Sequence, residues 1–137
     1  MKQTPLKRTG FSQKPRKPMP RKSKRKTAHE ASPEGQEDAA YLRAVRSLPC
    51  CICDGFGEPQ KSPTEAHHTK SGRYGSARTP DKQAIPLCHS HHNKLRPYAG
   101  DEGKIGYHNA QATWEAKYGP DTDYIAATRD RVEGFDL

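Results

Sequence analysis

Large apolar side chains are scarce in this chain. Of its 137 residues 31% are hydrophobic and 7% aromatic, with three Phe, one Trp and two Met, while 29% are charged. That composition excludes a large oily core, and the length allows one domain but not two ordinary ones. No stretch approaches the roughly 20 apolar residues of a membrane span, so no membrane partner is expected. The basic N-terminus has no apolar segment of the kind a secretory signal carries. Pro5, Pro15, Pro18 and Pro20 oppose the amphipathic helix of a transit peptide. The expected location is therefore cytoplasmic. Internal repeats are lacking too.

Acidic residues are missing from one region altogether. Residues 1–28 hold eleven Lys and Arg and no Asp or Glu, whereas the remainder holds 13 basic and 16 acidic residues. The formal charge of +8 thus describes a basic tail on an acidic body. Residues 1–31 show no helical or strand periodicity and few apolar groups, so they cannot offset their own ordering entropy. A disordered tail is expected there. Its Lys14, Arg16, Lys17, Arg21, Lys22, Lys24, Arg25 and Lys26 suit sequence-independent, salt-sensitive neutralisation of nucleic-acid phosphates. A solubilising or localisation segment is the plainer alternative.

Residues 32–137 form the body. Ser32 and Pro33 suit the cap and first turn of a helix that carries Tyr41, Val45 and Leu48 on one core face and ends at Pro49. Thr64-Glu65-Ala66-His67-His68 and Ala84-Ile85-Pro86-Leu87 read as strands, with the Gly-rich basic loop Lys70-Ser71-Gly72-Arg73-Tyr74-Gly75 following the first. A short helix is expected over Asn109 to Tyr118, anchored by Trp114 and stopped by Gly119-Pro120. A last one, from about Asp123 to Val132, is expected to bury Tyr124, Ile125, Val132 and Phe135. A body of roughly 100 residues with so few large apolar groups is marginal without a staple.

The four cysteines supply a candidate staple. In a non-secreted chain they point to metal before disulfides. Cys50 and Cys53 have the C-x-x-C spacing that places two thiolates on one ion, and Cys88 and His91 repeat it after a 34-residue gap. Together they predict a closed tetrahedral Cys3His structural zinc site. Cys51 is the spare; as a ligand in place of Cys50 it would form a less comfortable C-x-C chelate. Of the six other histidines, His67, His68 and His92 ask for a further use. His92 follows the second knuckle, and a second metal is its economical use. His67 and His68 are adjacent on a strand and so face opposite sides. One can ligate a metal while the other handles protons, a task that suits a neutral imidazole near pH 7. Surface histidines are the bland alternative.

The succession of C-x-x-C, Ala66-His67-His68, a Gly-rich loop and Ile85-Pro86-Leu87-Cys88-x-x-His91-His92-Asn93-Lys94 resembles the HNH (His-Me finger) endonucleases. It is most similar to the phage recombination-enhancement nucleases called Ref, which act with RecA on DNA. The basic Pro-rich tail, Gly106-Tyr107-His108 and the run Trp114-Glu115-Ala116-Lys117-Tyr118-Gly119 join that resemblance. It implies an α+β fold: a small zinc-stabilised ββα-metal domain with flanking helices behind the disordered tail. It also implies a metal-dependent DNA endonuclease, in the host bacterial cytoplasm if phage- or prophage-encoded, with DNA and a RecA filament as partners.

By position the resemblance makes His67 and His92 ligands of a catalytic divalent metal, Mg²⁺ with Mn²⁺ or Zn²⁺ as alternatives, and His68 the general base. His108 is a further ligand candidate by resemblance alone. Where the family has its central Asn this chain has Gln83, so either Gln83 or Asp81 would orient the base. Lys70, Arg73 and Arg78 can hold backbone phosphates, or be merely solvated loop charges. A catalytically silent zinc module that binds nucleic acid, or a protein bridging DNA to a recombinase, are the competing functions.

Overall fold

The computed structural model describes residues 10, 15, 17–73 and 79–134. The architecture is α+β, a two-stranded antiparallel sheet carried by short helices. Strand β1 (Thr64–His68) pairs with β2 (Ala84–Cys88), with Glu65 opposite Leu87, His67 opposite Ile85 and His68 opposite Ala84. A hairpin alone is at best marginally stable in water, so helices cover both faces. Every residue of β2 is buried. Alternation along it divides the core: Ile85 and Leu87 join Cys50, Ile52, Cys53, Tyr107, Trp114 and Tyr118, while Ala84 joins Tyr41, Ala44, Val45, Leu48 and Val132. Directly paired residues share a face, which places Glu65 and His67 on the first side and Ala66 and His68 on the second.

Helix α2 (Pro33–Ser47) starts where the capping sequence places it. Ser32 accepts a hydrogen bond from the Gly35 amide at 3.1 Å, and Tyr41, Ala44 and Val45 are buried. Helix α3 (Cys51–Gly55) follows Pro49 and buries Ile52 and Cys53; α4 (His89–His92) is one turn that opens directly from β2. Helix α5 (Gln111–Tyr118) brings Trp114 into edge contact with Tyr107 and Tyr118, with ring centroids 5.1 and 5.2 Å away. A 3₁₀ turn at Asp121–Tyr124 precedes α6 (Ile125–Glu133), which buries Val132 and leaves Tyr124 and Ile125 half-covered. Phe135 lies outside the described residues.

The expected disorder through residue 31 needs correction. Lys24–Ala31 forms a helix, α1, with Ser23 as its cap accepting from the Lys26 amide at 3.2 Å. None of its side chains is buried. It is held by that cap, by the Lys22–Glu30 ion pair at 2.8 Å, and by close approach to α2. A Cβ on Gly35 would lie 1.9 Å from the His29 carbonyl oxygen, so only glycine allows the two helices to meet this way. Residues 21–31 contain no proline, unlike the segment before them, and reading the whole tail as one composition obscured this.

Candidate metal centres and the site between them

Cys50, Cys53, Cys88 and His91 converge as the spacing predicted, all at most 2% exposed. The two knuckles arrive from different directions, one from the start of α3 and the other from the turn joining β2 to α4. His91 Nδ1 lies 3.6, 3.5 and 3.3 Å from the sulfurs of Cys50, Cys53 and Cys88, and Cys53 and Cys88 are 3.8 Å apart. Tetrahedral zinc with ordinary bond lengths requires about 3.8 Å between sulfurs and about 3.6 Å between sulfur and nitrogen. The donor set therefore fits a zinc-sized ion before any adjustment.

Electrostatics agree. The hydrogen bond between Cys50 and Cys88, together with burial, raises the Cys50 thiol, and the same bond lowers that of Cys88 against the effect of its burial. Three sulfurs this close ionise together only around a cation. Lys104 Nζ, 3.5 Å from Cys53 Sγ and 2.7 Å from buried Asp101, adds positive charge at the edge. Cys51 stands outside the cluster, its thiol pushed up to about 12 by burial.

A second cluster comprises His67, His92 and His108, with one ligating nitrogen of each within 4.8 Å of the others. Burial falls off across it, from His67 at 0% exposed through half-buried His92 to exposed His108. Backbone hydrogen bonds from Tyr107 and His108 to the carbonyls of His91 and His92 set His108 beside the end of α4. Gly106 permits that approach, since a Cβ there would come 2.1 Å from Asn109 Oδ1 and 3.0 Å from the Lys94 nitrogen.

Carboxylates fix two of the three rings. Glu65 accepts from His92 Nδ1 at 2.7 Å and from His89 Nδ1 at 2.6 Å, so that His92 presents its lone pair at Nε2. Asp121 accepts from His67 Nε2 at 2.8 Å. His67 Nδ1 is buried with no hydrogen-bond partner among the described residues. Burial lowers the pKa of His67 against the pull of Asp121, and burial with the neighbouring histidines pushes His108 down to about 4. Both rings are therefore neutral near pH 7, with lone pairs available to a metal. The chemistry of this donor set fits a divalent cation that keeps open positions.

His68 turns to the other face of β1. Its Nε2 lies 2.6 Å from Asp81 Oδ1, both side chains being about a quarter exposed, at 28% and 26%. The register explains the pairing: His68 faces Ala84, and Asp81 begins the 3₁₀ turn leading into that residue. Gln83 does not touch His68; its Oε1 accepts from Arg73 Nη2 at 3.1 Å. Of the two residues, Asp81 makes the contact with His68, while Gln83 steadies a loop cation.

Lys70 and Arg73 are exposed, with Arg73 bonded to Gln83; Lys17, Arg21, Lys22, Lys24, Arg25 and Lys26 are exposed as well, with Lys22 tied to Glu30. Lys14, Arg16 and Arg78 lie outside the described residues. No described helix is long and apolar enough to cross a membrane.

Sequence reading missed Glu65, His89 and Asp121. Alternation in the first strand carried a signal for Glu65, which shares the His67 face. Asp121 lies 54 residues from His67 and left no local trace.

The fold is mixed α+β, with one closed sulfur-rich cluster and one open histidine cluster, each able to hold a metal ion. The chain belongs to a protein family of unknown function, DUF968, whose family model matches residues 24–134. That match begins at the first residue of α1 and spans both clusters. No curated protein and no solved structure matches the chain.

Proposed function

We propose that this chain is a metal-dependent endonuclease of the HNH type that hydrolyses phosphodiester bonds in DNA and acts with RecA in recombination. The observation that carries the reading is the buried Nδ1 of His67, without a hydrogen-bond partner among the described residues and grouped with His92 and His108, on a strand whose next residue, His68, pairs with Asp81. A zinc-stabilised binding module has a use for Cys50, Cys53, Cys88 and His91 but none for these further groups.

Each residue has a task in that chemistry. His67, His92 and His108 would hold a divalent cation, Mg²⁺ or alternatively Mn²⁺ or Zn²⁺. Such an ion supplies charge stabilisation at the phosphate and the leaving oxygen. Asp81 accepts the Nε2 proton of His68, which leaves Nδ1 as the nitrogen able to take a proton from water. His68 ends β1 and faces away from the histidine cluster, so the phosphate would lie across the end of that strand to be reached from both faces. Water so activated would attack phosphorus opposite the leaving oxygen, giving 3′-hydroxyl and 5′-phosphate ends by family resemblance. Lys70 and Arg73 position the backbone without reading bases. The cations of α1 and the segment before it add salt-sensitive affinity to a body whose own net charge is negative.

The test is cleavage of single-stranded and duplex DNA in Mg²⁺ by wild type and His68→Ala, each with and without RecA and ATP. Cleavage by wild type that the substitution abolishes, with zinc content and DNA binding intact, is the expected result. Cleavage only with RecA supports action within a recombination filament. DNA binding without cleavage under every condition overturns the enzyme reading in favour of a silent zinc module.

A further inference from the structure

The carboxylate of Asp121 belongs to neither cluster, yet it is 0% exposed and sits against His67, the deepest histidine of the second cluster. It comes from the 3₁₀ turn between α5 and α6, beyond the paired strands and the one-turn helix α4. Both of its oxygens accept hydrogen bonds. Oδ2 accepts from the Lys70 amide at 2.7 Å and from His67 Nε2 at 2.8 Å, and Oδ1 accepts from the Ser71 amide at 3.0 Å. Burying a carboxylate is costly unless every lone pair it turns inward is used, and here both oxygens are used.

An imidazole that donates from one nitrogen presents a lone pair at the other. Because both oxygens of Asp121 already accept backbone N–H groups, His67 meets an acceptor and carries its proton on Nε2. Nδ1 is then the nitrogen with the lone pair, and it is this buried atom that lacks a partner among the described residues. At His92 the arrangement is reversed: Glu65 takes the Nδ1 proton and leaves Nε2. The two rings are locked in opposite tautomers by two carboxylates from different parts of the chain.

We infer that Asp121 is a positioning residue for the histidine metal site, selecting the His67 tautomer that can ligate and tying the start of the basic loop to the same point. This rests on the metal-site reading of the previous subsection and deepens it. The segment after α5 is then part of the working site and not merely a cover for the sheet. Loss of Asp121 frees His67 to move its proton to Nδ1, which blocks ligation, and it releases the amides of Lys70 and Ser71.

The experiment uses the full chain carrying one zinc at the cysteine site. Mn²⁺ and Co²⁺ are titrated calorimetrically, and the His67 tautomer is read from imidazole ¹⁵N shifts before metal is added. In wild type one further ion is expected to bind per chain, with His67 protonated at Nε2. Asp121→Ala is expected to weaken that second binding by about 10–100-fold, the usual effect of losing an outer-shell partner, with a mixed His67 tautomer. Asp121→Asn can keep a carbonyl oxygen toward Nε2 and is expected to fall between the two. It carries the test if the alanine variant loses its zinc.

A role limited to holding the loop predicts lower thermal stability with unchanged second-metal affinity and tautomer, and that result overturns the inference alone. Absence of a second bound ion in wild type overturns the metal-site reading beneath it.

Discussion

Two histidines one residue apart serve clusters of opposite design. His91 completes a set of four donors, with Cys50, Cys53 and Cys88, that is sealed from water and matches tetrahedral spacing. His92 joins a set of three, with His67 and His108, whose exposure rises from the strand outward. A site closed by four protein ligands has only folding to contribute; one that keeps positions open toward solvent can bind a substrate. The contrast comes from a single helical turn. Consecutive positions on α4 point about 100° apart, so one knuckle supplies both sites from adjacent residues.

The comparison breaks most visibly if the closed site is opened. Cys88→Ser is expected to remove the zinc and with it cooperative folding, since structural zinc contributes about 10–16 kcal/mol in zinc-finger peptides. Circular dichroism and metal content report this together. A folded, zinc-free variant would show that the aromatic core around Trp114 suffices by itself. His68→Ala is expected to leave the zinc and the melting temperature nearly unchanged while lowering cleavage by about 10²–10⁴-fold, the usual contribution of a positioned general base.

Much of this contrast was legible before the structure. The knuckle spacing identified the closed site, and strand alternation correctly set His67 and His68 on opposite faces. Ser32-Pro33 marked the start of α2, and Ile85 and Leu87 marked a buried strand. What stayed hidden depends on partners distant in sequence. The choice between Asp81 and Gln83 turns on which side of the 3₁₀ turn faces His68, and both residues precede the same strand. Asp121 reaches His67 only once α5 has packed against the sheet. Helix α1 escaped notice for a different reason: its capping serine and proline-free stretch were averaged into a tail full of proline.

A smaller effect separates Asp81 from Gln83. Asp81→Ala is expected to reduce the turnover rate with DNA affinity little changed, by less than His68→Ala does, because it frees the ring without removing it. Gln83→Ala should leave turnover nearly intact and weaken DNA affinity by loosening Arg73. Steady-state kinetics with a defined oligonucleotide distinguish the two, and the reverse pattern would assign orientation of the base to Gln83.

The smallest change expected in the closed site is from removing residues 1–23. Zinc content and melting temperature should hold, while the dependence of DNA affinity on salt becomes shallower by about 0.9 per lost phosphate contact on duplex DNA. An unchanged slope would move the binding surface to the body, onto Lys70, Arg73 and α1.

The division of labour between the two clusters is tested most directly by a single chelation experiment, with metal content and DNA cleavage measured on the same sample. After dialysis against a chelator too weak to compete for the four-ligand zinc, such as citrate, the chain is expected to stay folded with one zinc per molecule and to have lost cleavage, which Mg²⁺ or Mn²⁺ then restores. Undiminished cleavage with only the cysteine-site zinc present would contradict the account, as would cleavage that no added divalent cation brings back.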